Sequence, residues 1–107
     1  MKFIGFFEYN NEDVALAEKT RRQLMSLREK EPNNYARLLS ESYSLGGGDL
    51  PKLTRDFKGF SVYEADSIDQ LANITLLYQL NIPSARVRFL PVVEASKAVE
   101  LLMKAKK

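Results

Sequence analysis

Lys2 to Tyr9 is a short, aromatic, β-favouring run and predicts a first strand. Helix signals follow at once. Asn10 or Asn11 can cap, Glu12 and Asp13 suit the positive end of a helix dipole, and Leu16, Thr20, Leu24 and Leu27 recur every three or four residues to about Lys30. Pro32-Asn33-Asn34 breaks this helix, and the mixed segment Tyr35 to Leu45 is assigned as a second strand. Gly46-Gly47-Gly48-Asp49 and Pro51 make a flexible connection to a third strand, Phe57 to Glu64. Ser67 with Gln70 three residues later has a capping-box pattern, and Leu71, Ile74, Thr75 and Tyr78 run down one face of a second helix that Pro83 closes. Ala85 to Val93 predicts a fourth strand, with Pro91 suited to a sheet edge or a bulge. A last helix, roughly Ser96 to Lys106, ends in lysines that suit the negative end of its dipole.

The order β-α-β-β-α-β plus a terminal helix predicts an α+β fold of ferredoxin-like type: a four-stranded antiparallel sheet with both main helices on one face, in a single domain over residues 1–107. Alternation adds a constraint. The first strand puts Phe3, Phe7 and Tyr9 on one side and Ile4 and Phe6 on the other, while the fourth sets Val87, Phe89 and Val93 against Leu90 and Val92. Both faces are apolar, and two helices cover only one. Something else is expected to cover the second.

Composition narrows the chemistry. With 107 residues, 45% hydrophobic and 28% charged, the chain is long enough for one core. It has no cysteine and no histidine. Disulfides, thiolate sites, a Ser/His/Asp triad and imidazole ligation of haem or zinc are therefore excluded. A net charge of +2 implies no obligate polyanion partner. The opening Met1-Lys2-Phe3-Ile4-Gly5-Phe6-Phe7 meets Glu8 too soon for a signal-peptide core, and no apolar run is long enough to span a bilayer. A cytoplasmic, soluble protein without membrane contact is the expectation.

Lys58-Gly59-Phe60 begins like the main contact motif of an RNA recognition module, but Val62 stands where a second stacking ring belongs and Ala65 where another aromatic is usual. Strand packing accounts better for these residues, and nucleic acid is not the expected partner. Gly46-Gly47-Gly48 lacks the Gly-Lys-Ser/Thr of a phosphate loop. Arg21, Arg22, Arg28 and Lys30 interleave with Glu18, Glu29 and Glu31 as a solvated helix face does. Glu8, Tyr9, Glu41, Tyr43, Tyr63 and Glu64, with Arg86 and Arg88, form a pool for acid/base chemistry rather than a constellation. No carboxylate cluster has calcium or magnesium spacing, so no metal is expected.

The second half, "KGFSVYEADSIDQLANITLLYQLNIPSARVRFLPVVEASKAVEL", resembles small, functionally unassigned proteins of the dimeric α/β-barrel (ferredoxin-like) superfamily. The resemblance rests on the Gly-led strand from Gly59 to Asp66, ending in acid and helix cap, and on Phe89-Leu90-Pro91-Val92-Val93 before the terminal helix. It implies a homodimer in which two sheets meet face to face, with a cavity between each sheet and its helices. The superfamily includes cofactor-independent quinol monooxygenases, lactone isomerases, haem-degrading enzymes, aldoxime dehydratases and amino-acid-sensing modules. The missing histidine counts against the haem-dependent members. These observations together lead us to expect a homodimer that binds a small apolar or aromatic ligand beside the sheet without a cofactor. Its lining would draw on Phe3, Phe7, Tyr9, Tyr63 and Phe89, with Glu8, Glu64, Arg86 or Arg88 as polar anchors. A cofactor-independent monooxygenase or isomerase and an RNA-binding module are the alternatives.

Overall fold

A computed structural model describes residues 1–44 and 56–106. The Gly-rich connection at 46–48, with Asp49 and Pro51, lies outside the described residues. The elements in chain order are β1 (Lys2–Asn10), α1 (Val14–Lys30), β2 (Arg37–Leu38), β3 (Tyr43–Ser44), β4 (Asp56–Glu64), α2 (Ile68–Asn81), β5 (Arg86–Val92) and α3 (Ala95–Ala105). Short 3-10 turns at Asn11–Asp13 and Pro32–Asn34 enter and leave α1. The fold is α+β, with three helices and an open antiparallel sheet of five strands among the described residues.

β1 lies at the centre, paired with β4 on one side and β5 on the other, and β2 and β3 both pair with the outer edge of β4. The predicted second strand is thus two fragments. From Leu38 to Tyr43 the chain advances five residues while their partners on β4, Tyr63 and Phe60, are three apart, so two extra residues bulge between the fragments. There the Ser40 hydroxyl accepts the Val62 N–H at 2.8 Å, and the Leu39 N–H donates to Val62 O at 2.8 Å. A side-chain oxygen therefore stands in for the missing ladder partner. Pro91 sits on β5, an edge strand, where its missing N–H does not break a ladder on the open side.

The register fixes the two faces. Phe3, Gly5, Phe7 and Tyr9 of β1 are level with Tyr63, Ser61, Gly59 and Phe57 of β4, and Val87 and Phe89 of β5 continue the same side. This face meets α1 and α2, whose inward stripes are Ala17, Thr20 and Leu24, and Leu71, Ile74 and Tyr78. Leu16, expected on the inward stripe of α1, is exposed, and the smaller Ala17 takes its place. Thr20 satisfies its hydroxyl locally by donating to Leu16 O at 2.8 Å. Ile82 and Ala36, both fully buried, close the ends of the layer.

The capping box expected at α2 forms differently. Ser67 makes no side-chain cap bond, and the Gln70 carboxamide instead accepts the Asp66 N–H at 2.7 Å and donates to Asn33 O at 3.0 Å. Gln70 thereby ties α2 to the turn after α1.

On the other face, β1 presents Lys2, Ile4, Phe6 and Glu8, β4 presents Lys58, Phe60, Val62 and Glu64, and β5 presents Arg86, Arg88, Leu90 and Val92. Among the described residues no helix lies over this face. The chain is only 19 Å across in its shortest dimension, the thickness of one sheet and one helix layer.

Candidate functional site

A cavity of about 280 Å³ lies between the sheet and α1. Its cause is legible in side-chain size. Along the inward side of β4 the order is Phe57, Gly59, Ser61, Tyr63, large then small then small then large, and the small Ala17 is among the α1 residues over it. A gap is left between the ring walls, with the Phe57 ring and the Tyr43 carbonyl crowding Gly59. Tyr9 and Phe57 stack at one end, 5.0 Å apart and 17° from parallel. At the other, Tyr63 is held edge-on by Phe89 at 5.4 Å, with Phe7 at 6.1 Å, and Tyr78 of α2 covers Phe7 at 5.0 Å.

The cavity holds few polar groups. The buried Ser61 hydroxyl pairs with that of Ser42 at 2.8 Å. Glu18 and Arg21 of α1, paired with each other and half-exposed, mark the side where the cavity meets solvent. Five ionisable lining side chains are pushed away from neutrality. Burial raises the phenols of Tyr9, Tyr63 and Tyr78; Glu18 adds to the effect at Tyr9, whereas hydrogen bonds from Ser61 and Arg28 partly offset it at Tyr63. Hydrogen bonding to Arg21 lowers the Glu18 carboxyl, and the same contact raises Arg21. At neutral pH these groups are protonated phenols and a fixed ion pair. They donate hydrogen bonds and present aromatic walls; none is poised to exchange a proton.

Of the residues expected at the site, Phe7, Tyr9 and Tyr63 line this cavity. Phe3 and Phe89 lie on the same face but pack against the core beside it. Glu8, Arg86 and Arg88 are on the opposite face, where with Phe6 and Lys58 they border a second hollow of about 400 Å³. Lys58 reaches Glu8 at 3.9 Å, and the Arg88 guanidinium sits over the Phe6 ring at 5.7 Å. Glu64 also faces that way and is paired with Arg37. The separation follows from the strand period: Glu8 lies between Phe7 and Tyr9, so its side chain must point away from theirs. Sequence reasoning missed Ser61, Phe57, Tyr78 and the Glu18–Arg21 pair. The first two carried a signal, a Gly-x-Ser step flanked at the same period by two rings. Tyr78 and Glu18 enter only through helix packing.

Among the described residues no group of three or more acidic, histidine or cysteine side chains could hold a metal, and no helix is long and apolar enough to cross a membrane. No protein-family model matches the chain, and no curated protein matches it. The fold and the site define an α+β protein with an antiparallel sheet, helices on one face and an aromatic cavity between the layers.

Proposed function

We propose that this protein is a homodimer of ferredoxin-like subunits that binds a small, largely apolar or aromatic ligand in the cavity between sheet and helices. The observation that carries the reading is the cavity itself: ring walls, a paired serine hydroxyl inside and a volume close to the lower end of about 300–1,000 Å³ typical of ligand clefts. A ligand of one or two rings with a hydroxyl or carbonyl would bury its rings against Phe7, Tyr9 and Phe57 and exchange a hydrogen bond with Ser42, the accessible member of the serine pair. The strand order, β5-β1-β4 with β2 outermost, supports a split βαβ subunit, and the uncovered apolar face supports a second copy. Binding is favoured over an oxygenase or isomerase because the five perturbed lining groups lie far from neutrality.

Thermal unfolding with a panel of hydroxylated aromatics such as 2-naphthol tests this reading. The expected result is saturable stabilisation that Ser61→Leu, which fills the gap, abolishes. No stabilisation of the parent protein by any compound overturns ligand binding, and oxygen uptake above the buffer rate with a quinol panel would replace it with catalysis.

One observation favours a second reading, RNA binding. Phe6 and Phe60 are cross-strand partners on the uncovered face, their rings 6.4 Å apart, with Tyr43 5.4 Å from Phe60 and Lys58, Arg86 and Arg88 at one end. It predicts a monomer whose affinity for single-stranded RNA falls with salt and is lost in Phe60→Ala.

A further inference from the structure

α3 begins three residues after β5 ends and carries a strongly two-sided sequence. At about 100° per residue, Ala95, Ala98, Val99, Leu102 and Met103 fall on one side, while Ser96, Lys97, Glu100 and Lys104 fall on the other. Such a helix is stable in water only when its apolar side is covered. Here it is not: Leu102 and Met103 are each 63% exposed, and α3 has no buried residue. Val93, before the helix, and Val92 and Leu90 on the uncovered sheet face are exposed as well. At the junction Glu94 has an extended backbone, and the Lys2 ammonium lies 4.0 Å from its exposed carboxylate. Within one chain the helix and the sheet face are thus two apolar surfaces joined by a two-residue link, neither covering the other.

We propose that α3 is a reciprocal arm, its apolar side lying across the uncovered sheet face of a second copy of this chain. The inference rests on the homodimer reading above and adds to it the element that completes the interface. Interface size supports this assignment. A stable interface uses about 20–30 residues a side. The three long strands offer twelve outward residues, and the five on the apolar side of α3 bring the surface to seventeen, close to the lower end of that range. The centre of the sheet face suits an apolar helix, because Ile4, Phe6, Phe60 and Val62 form a continuous band across β1 and β4. At one end of the band Glu64 is paired with Arg37; at the other Glu8 pairs with Lys58 while Arg86 and Arg88 stay in excess, so the contact rests on the apolar centre rather than on charge.

The test uses the full chain, which has no cysteine to interfere with cross-linking. Light scattering across a concentration series is run on the parent protein, on Leu102→Glu, and on Leu80→Glu as a control at an 82%-exposed site on α2. Circular dichroism confirms that each is folded. A parent dimer whose dissociation constant rises by about tenfold or more in Leu102→Glu, but not in Leu80→Glu, supports the arm. Separately tagged Leu102→Cys and Leu90→Cys chains, mixed and mildly oxidised, should then cross-link between unlike chains. A dimer unaffected by Leu102→Glu and without that cross-link overturns the arm and leaves the dimer standing. Closure of the Leu102→Cys/Leu90→Cys double variant within one chain also overturns it, by placing the helix on its own sheet. A parent protein that is monomeric throughout removes the homodimer reading and the arm together. If that monomer binds anionic phosphatidylserine vesicles, α3 is a membrane-surface helix instead.

Discussion

Gly5 lies at the centre of β1 on the inward face, where Phe89 and Tyr63 converge from the two neighbouring strands. A Cβ built there would stand 2.7 Å from Phe89 Cε1 and 2.8 Å from Tyr63 Cε2, well inside contact distance. Gly5→Ala must therefore move a ring. Tyr63 is 3% exposed and is flanked by Phe7 and Phe89, so it has nowhere to go except toward the cavity. Phe89 is half-buried on the edge strand and can swing outward. Overpacking a core costs about 1–3 kcal/mol, and the yielding edge ring places this case at about 1–2 kcal/mol. For a domain of this size that corresponds to a fall in Tm of about 4–16 °C. Urea and thermal unfolding at one fixed protein concentration measure it. Phe89→Leu removes the ring atoms of the closest contact, so Gly5→Ala in that background should cost less than in the parent, with a coupling of about 0.5–1.5 kcal/mol. A Gly5→Ala protein within about 0.3 kcal/mol of the parent, or strict additivity in the cycle, would refute the ring-contact argument.

The remaining expectations concern burial and charge. Burial holds the Tyr78 phenol protonated in the folded chain, far above its ordinary value of 10.0, so above pH 10 the folded state binds more protons than the unfolded one. Its contribution is complete below pH 10 and is lost as pH rises beyond it; Tyr78→Phe should flatten the alkaline fall in unfolding free energy by up to about 1.4 kcal/mol per pH unit. An equally steep fall in both proteins would show that the phenol is not protected. Ile74, with no exposed surface, should cost about 2–5 kcal/mol when cut to Ala, by equilibrium unfolding. Arg37→Ala breaks the pair with Glu64 but should cost under about 1 kcal/mol, since the Arg37 side chain is 67% exposed. Comparable losses from the two would contradict the division between core and rim.

Much of this architecture is legible in local pattern. The alternation in Lys2–Tyr9 and Phe57–Glu64, and the three-to-four spacing through Leu71, Ile74 and Tyr78, are local consequences of backbone geometry, and they assign strands, helices and faces without reference to the rest of the chain. The two-sided character of the sheet follows from the same period. What local pattern did not carry was anything set by contact across the layer. The second strand splits because Ser40 competes for the Val62 N–H, a partner 22 positions away. Gln70 leaves its expected capping partner for the Asp66 N–H and Asn33 O. Phe7, Tyr9 and Tyr63 were readable as inward aromatics, but whether they fill a core or wall a cavity depended on Gly59 and Ser61 meeting Ala17 of α1. Size complementarity between elements distant in sequence decides where space is left, and only the folded chain brings those elements together.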